Sequence, residues 1–205
     1  MIHAVSLARG GLGGKNNRME TFTTRNGQWL TVRPLTEDDA PLLVDLFRRL
    51  SPNSRYQRFH IPMEHVSDET IWQGASDMAH VDQINQVALI ALLASDEGEQ
   101  VAIAVARAHR QPGGTEAEAA IVVRDDFQSQ GVGRQMLGYL VNAAVAVGIT
   151  TFKGYIQADN HQMLHLLQTI GLQYTQHIEH AEAYVLIQLH EVPAKGSAGA
   201  VPPRR

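Results

Sequence analysis

From Val132 to Val145 the apolar residues fall into two adjacent helical rows. Val132, Met136, Leu140 and Ala144 form one row, and Leu137, Val141 and Val145 form the other. An apolar stripe this wide has to pack on a sheet. Strand candidates stand on both sides of it. The run "EAEAAIVV" (116–123) leads into the helix, and "TTFKGYIQA" (150–158) follows Gly148, which sits where a helix closes through a left-handed turn. A helix inserted between strands in this way points to an α/β fold.

The rest of the chain repeats the pattern. "QWLTVRPL" (28–35) puts Leu30 and Val32 on one face and Thr31 and Arg33 on the other, as a strand does. In "TEDDAPLLVDLFRRL" (36–50), Thr36 is a good N-cap, and Glu37, Asp38 and Asp39 complement the positive end of a helix dipole. Leu43, Phe47 and Leu50 then share one helical face. "SPNSRYQRFH" (51–60) breaks and restarts as a short helix, and "SDETIWQGAS" (67–76) opens another at Ser67. "QVALIALLA" (86–94), a turn at "DEGE" and "QVAIAVARA" (100–108) read as a hairpin. "NHQMLHLLQTIG" (160–171) is a helix ended by Gly171, and "LQYTQHI" and "AYVLIQL" are the last strands. The order β α α β β β α β α β β predicts one mixed α/β sheet of about seven strands, with helices on both faces. Residues 1–20 read as a disordered leader, 21–190 as one domain and 191–205 as a flexible tail.

Composition removes several function classes. A chain of 205 residues that is 44% apolar can bury a sizeable core. Its net charge of −4 lacks the basic excess that nucleic-acid binding requires. No cysteine is present, so disulfides, thiolate catalysis and thiolate metal sites are excluded, and a reducing cytoplasm is the default compartment. No apolar run approaches the roughly 18 residues of a membrane span.

The segment "RDDFQSQGVGR" (124–134) joins the strand to the long helix. The first N–H groups of a helix have no intrahelical partner, and the dipole adds partial positive charge there. Glycines at that point let an anion approach the backbone. They also simply permit a tight turn, so an isolated pair does not decide between the two. Two nucleotide readings fail on the residues. "GGLGGKN" (10–16) lacks the first glycine and the Ser/Thr of a P-loop, and a dinucleotide fingerprint needs a third glycine where Met136 stands.

"QSQGVG" (Gln128, Ser129, Gln130, Gly131, Val132, Gly133) resembles the Q/R-x-x-G-x-G/A motif of the GNAT superfamily, the acyl-CoA-dependent N-acyltransferases. "DNHQMLHLLQTIGL" (159–172) is similar to the downstream Asn-containing segment of that family. The resemblance extends over about residues 28–190. It implies that the N–H groups of Gln130 to Arg134 hold the pyrophosphate of acetyl-CoA, while Gln128 and Ser129 shape the loop. It further implies that Ile121, Val122 and Val123 pair with the pantetheine arm as with an added strand. Asn160 contacts the cofactor or caps its helix, or does both. Within the superfamily, "LSPNSRYQRF" (50–59) is similar to a segment of bacterial Pat-like protein-lysine acetyltransferase domains, on the acceptor side. Local packing of Tyr56 and Phe59 and a solvated Arg55 and Arg58 account for it equally simply.

Acetyl transfer to an amine needs a base, because an amine with a pKa of about 10.4 is protonated at neutral pH. Glu118 is the candidate. It shares a strand face with Ala120 and Val122, and a carboxylate in an apolar strand is costly unless it is used or solvated. Pat-like domains carry a glutamate at the matching position, and Glu116 reads as the strand-end surface carboxylate. The resemblance places oxyanion donors on the backbone where the strand bulges near Val122 and Val123. The tyrosine with which many members protonate the leaving thiolate is replaced by Leu167. His161 and His165 lie one helical turn apart but lack the glutamate and third ligand of a zinc site, so no metal is expected, and His177 and His180 read as loop residues. The acceptor is a protein lysine or a small amine. A chain this short leaves no room for the extra domain of many Pat-like proteins, which keeps the small amine open. A non-catalytic acyl-CoA sensor is a third reading. Edge strands near the C-terminus offer a route to a homodimer.

Overall fold

The computed structural model describes residues 19–190 apart from 62, 64, 95–98, 180 and 181. The glycine-rich segment 10–16, the tail 191–205, most of the "DEGE" turn and His180 therefore lie outside the described residues.

Among the described residues, eight strands form one sheet in the order β1-β2-β3-β4-β5-β6-β8-β7. They are β1 (Glu20–Thr23), β2 (Trp29–Pro34), β3 (Gln86–Ala94), β4 (Gln100–Arg110), β5 (Glu116–Val123), β6 (Thr151–Gln157), β7 (Tyr174–Glu179) and β8 (Glu182–Gln188). Every neighbouring pair is antiparallel except β5–β6, which are joined by the crossover helix. Among the described residues, five α-helices cover the sheet: α1 (Ala40–Arg49), α2 (Pro52–Phe59), α3 (Asp68–Ala79), α4 (Val132–Ala146) and α5 (His161–Ile170). β1 is short and mostly polar and is not among the strands expected from the sequence; it begins at Glu20, the last residue of the expected leader.

The continuous apolar run of β3 is buried on both faces, as a central strand requires. Val87, Leu89 and Ala91 join Met136, Leu137, Leu140 and Val141 of α4 in one core cluster. Ala88, Ile90 and Leu92 join Leu43, Val44 and Leu46 of α1 in the other. At roughly 1.5–3 kcal/mol for each fully buried large side chain, the α4 stripe is a main anchor of the fold. Gly148 and Gly171 close α4 and α5 with φ of +83° and +82°.

Asp39 stands at the start of the helix with Glu37 and Asp38, as expected, and it also holds a buried ion pair. Its carboxylate is buried and receives Nη1 and Nη2 of Arg33 at 2.6 Å each and the Thr36 N–H at 2.8 Å. Burial alone would raise its pKa, but the Arg33 and Thr36 hydrogen bonds outweigh that and hold it below the usual carboxylate range.

Candidate active site

β5 and β6 pair only at Glu116–Thr151, Ala117–Phe152 and Glu118–Lys153. Beyond that point both strands continue, to Val123 and Gln157, without pairing to each other. Glu118 thus stands at the fork of a split sheet. Gly154 sits in the crotch, where an added Cβ would lie 3.4 Å from the Ala119 carbonyl oxygen. A cleft of about 810 Å³ opens from the fork, bounded by α2, the 128–134 loop and α5.

Backbone alternation sets what β5 offers to this cleft. The Arg124 N–H donates to the Ile103 carbonyl across the β4 ladder at 2.9 Å. The N–H and C=O of the preceding Val123 must then turn the other way, into the split, and those of Ile121 with them. The Val122 N–H faces the β4 ladder. The β5–β4 register is unbroken from Ala117 to Val123, so β5 has no bulge at Val122–Val123. The irregularity lies one strand away, between Ala91 and Leu92 of β3, where Ile103 of β4 is the extra residue. The amides that β5 turns toward the split are therefore those of Ile121 and Val123, not a bulged Val122–Val123 pair.

The loop after β5 is held from three sides. Gln128 Nε2 donates to the Val123 carbonyl and to Ser54 Oγ of α2, each at 3.1 Å. Arg25 Nη1, from the β1–β2 turn, donates to the Ser129 carbonyl at 2.9 Å, and the Arg25 N–H to the Gln130 carbonyl at 3.1 Å. Gln130 Nε2 donates to the Asp126 carbonyl at 2.7 Å, while its Oε1 is buried with no hydrogen-bond partner among the described residues. Ser129 takes a φ of +59° and Gly131 one of +88°, which turns the chain into the N-terminus of α4. An added Cβ on Gly133 would meet only Leu166 and Val123, at 3.7 and 3.8 Å, on the cleft wall. Packing inside the protein therefore does not demand a glycine at 133, and a group laid over the helix N-terminus would. That chemistry suits a pyrophosphate.

Ile121, Val122, Val123, Gln128, Ser129, Gly131, Gly133, Arg134, Asn160 and Glu118 all line the cleft. Val132 instead points into the core, and Gln130 turns its side chain back to Asp126, so only their amides are available. Asn160 caps α5 by accepting the Met163 N–H at 3.0 Å. Leu167 is buried at 3% exposure, as an apolar residue in that position should be. Tyr155 of β6 lines the cleft at 60% exposure. His165 also lines it, and His177 is a β7 strand residue rather than part of a loop.

Glu118 is exposed to the cleft rather than sunk in apolar surroundings, so solvent offsets the cost expected for a carboxylate in this strand. The "LSPNSRYQRF" segment is α2 with its cap. Its serines bind the glycine loop: Ser51 N–H and Oγ donate to Asp125 at 2.9 and 2.6 Å, and Ser54 Oγ donates at 2.8 Å. Burial presses the Asp125 pKa upward, but these serine hydrogen bonds prevail and lower it. The two arginines of the segment separate in role. Arg55 donates to the carbonyls of Phe47 and Arg48 at 3.2 Å and lies over the Phe47 ring, tying down the end of α1. Arg58 lines the cleft with Glu118. Burial, then the neighbouring Arg107, brings the Arg58 pKa down to about 10 against the opposing pull of Glu118.

Comparison with known proteins places this geometry. Residues 30–173 match the family described as Acetyltransferase (GNAT) domain. An acetyltransferase of Pseudomonas aeruginosa is 25% identical over 146 residues, which is 71% of this chain and 76% of that protein. Acetyltransferase Pat of Mycolicibacterium smegmatis is 25% identical over 148 residues, covering 72% of this chain but 42% of Pat. The GNAT domain of S. lividans PAT superposes with a TM-score of 0.71 at 26% identity, over 83% of this chain and 97% of that domain.

Proposed function

The chain belongs to the GNAT acetyltransferase family, and on that premise we propose that it transfers the acetyl group of acetyl-CoA to a protein lysine, with Glu118 as general base. One observation carries the reading. The split between β5 and β6 opens beside the 128–134 loop and has Glu118 at its fork. Cofactor, acceptor and base then meet in one cleft.

The N–H groups of Gln130 to Arg134 receive the pyrophosphate at the α4 N-terminus, where the dipole adds to their donors. Arg134 and Arg25 place positive charge on the same end of the cleft. Ile121 and Val123 offer backbone groups to the amide-rich pantetheine arm, which takes the place of the missing strand. Asn160 keeps its capping bond and faces the arm from α5. A backbone N–H of β5 that faces the split, that of Ile121 or Val123, holds the charge that develops on the acyl oxygen. Glu118 removes the proton of the attacking ammonium, directly or through a water, an effect of about 10²–10⁴-fold. Buried Leu167 supplies no proton to the departing thiolate, which leaves as such or is protonated by water.

The α2 segment lines the cleft, and its resemblance to the acceptor-side segment of Pat-like domains favours a protein acceptor over a small amine. Release of free thiol from acetyl-CoA, measured against a panel of proteins and small amines, tests the proposal. Tight acetyl-CoA binding without release for any acceptor would make the chain a sensor instead.

A further inference from the structure

The acceptor side of the cleft carries more positive charge than acetyl transfer requires. Glu118 faces it from β5. Lys153 is its register neighbour on β6 and also lines the cleft. Arg107 of β4 stands opposite Ala120, on the same sheet face and diagonal to Glu118. Arg58 reaches the cleft from α2. Glu118 therefore lies among three cations, while Glu182, the other carboxylate lining the cleft, is hydrogen-bonded to His60 and Gln157 at 3.2 and 2.9 Å.

Arg58 and Arg107 are also unmatched. Among the described residues neither guanidinium has a hydrogen-bond or ion-pair partner, and the contact of Arg58 is with the Phe59 ring at 5.0 Å. Both are partly buried, and burial lowers the pKa of each. A partly desolvated guanidinium with open donors is costly to maintain for packing alone, and its planar fork matches a carboxylate.

We infer that Arg58, seconded by Arg107, binds a carboxylate of the acceptor, so that the lysine acetylated here has an acidic neighbour and polycations are poor substrates. The inference rests on the acetyl-transfer reading above. The same cations favour the neutral form of the incoming amine, which eases the task of Glu118.

The test compares lysine peptides that differ only at flanking positions, carrying Asp or Glu, Asn or Gln, or Lys or Arg, with spermidine as the polycation. The wild-type protein should favour the acidic over the amide peptides by about tenfold in kcat/KM, chiefly through KM. It should favour spermidine least. In Arg58→Gln that acidic-to-amide ratio should fall toward one, with acetyl-CoA affinity retained, and Arg58→Lys should restore part of it. Arg107→Gln provides a second variant with the same expected direction. Turnover with no charge preference, or a ratio that survives both glutamine variants, overturns this inference alone. Acetyl-CoA binding without turnover on any amine overturns the acetyl-transfer reading and this inference with it.

Discussion

Gly133→Ala separates what the protein needs from what the cofactor needs. The residue lies in the first turn of α4, with a Cβ position in ordinary contact with Leu166 and Val123. Replacing glycine by alanine in a helix stabilises it by about 0.5–1 kcal/mol, or somewhat less in the first turn. For a chain of this size that is a Tm rise of about 1–3 °C. If the pyrophosphate lies over this turn, the same methyl group obstructs it. Losing one charge-assisted hydrogen bond, worth about 1.5–3 kcal/mol, weakens acetyl-CoA binding at least about tenfold. Stability and affinity should thus move in opposite directions. Gly131→Ala is the contrast. Its Cβ would meet nothing within 4 Å, but the φ of +88° costs an alanine about 1–2 kcal/mol, so its Tm should fall by several degrees. Thermal melts paired with calorimetric titration of acetyl-CoA read both effects. An unchanged acetyl-CoA affinity in a folded Gly133→Ala protein would refute the cradle.

Other outcomes follow from the same geometry. Glu118→Gln should bind acetyl-CoA normally yet lose about 10²–10⁴-fold in kcat, measured by thiol release. Asp39→Ala leaves Arg33 unpaired at a mostly buried site and should cost about 3–5 kcal/mol in urea unfolding. Asp125→Asn weakens the tie between α2 and the glycine loop and should raise KM for acceptor and acetyl-CoA together, whereas a defect in either alone would contradict that tie. Acid should also destabilise the fold. Asp39, Asp125 and Asp126 have lowered pKa values, and Asp82 sits at about 2 because backbone N–H bonds overcome its desolvation. Carboxylates with depressed folded-state values stabilise above their unfolded value of about 3.9, and that contribution is lost as pH falls through the folded values. Unfolding free energy should therefore hold above about pH 5 and drop below about pH 4.

Features with a local signature were legible in the sequence. The α4 stripe, the glycine loop, the capping residue Asn160 and the alternation that puts Glu118 on the face of Ala120 all depend on neighbours within a few positions. What was missed joins distant segments. Ser51 and Ser54 meet Asp125 across 74 and 71 positions, and Arg25 meets Ser129 across 104. No periodicity encodes such pairings. Arg55 and Arg58 are three apart on one short helix and look alike in sequence, yet one ties down α1 and the other enters the cleft. The bulge at Ile103 shows the same limit, because an extra residue in an unbroken apolar run leaves the run unchanged.

The split between β5 and β6 has a consequence for the protein's solubility. Strand edges with unpaired backbone groups invite pairing with other chains. Here two such edges, Ala119–Val123 and Gly154–Gln157, lie inside the sheet and face each other. Each screens the other, and α2 and α5 stand beside the opening. The protein can thus hold a row of unpaired amides at its working centre while denying them to strands of other molecules.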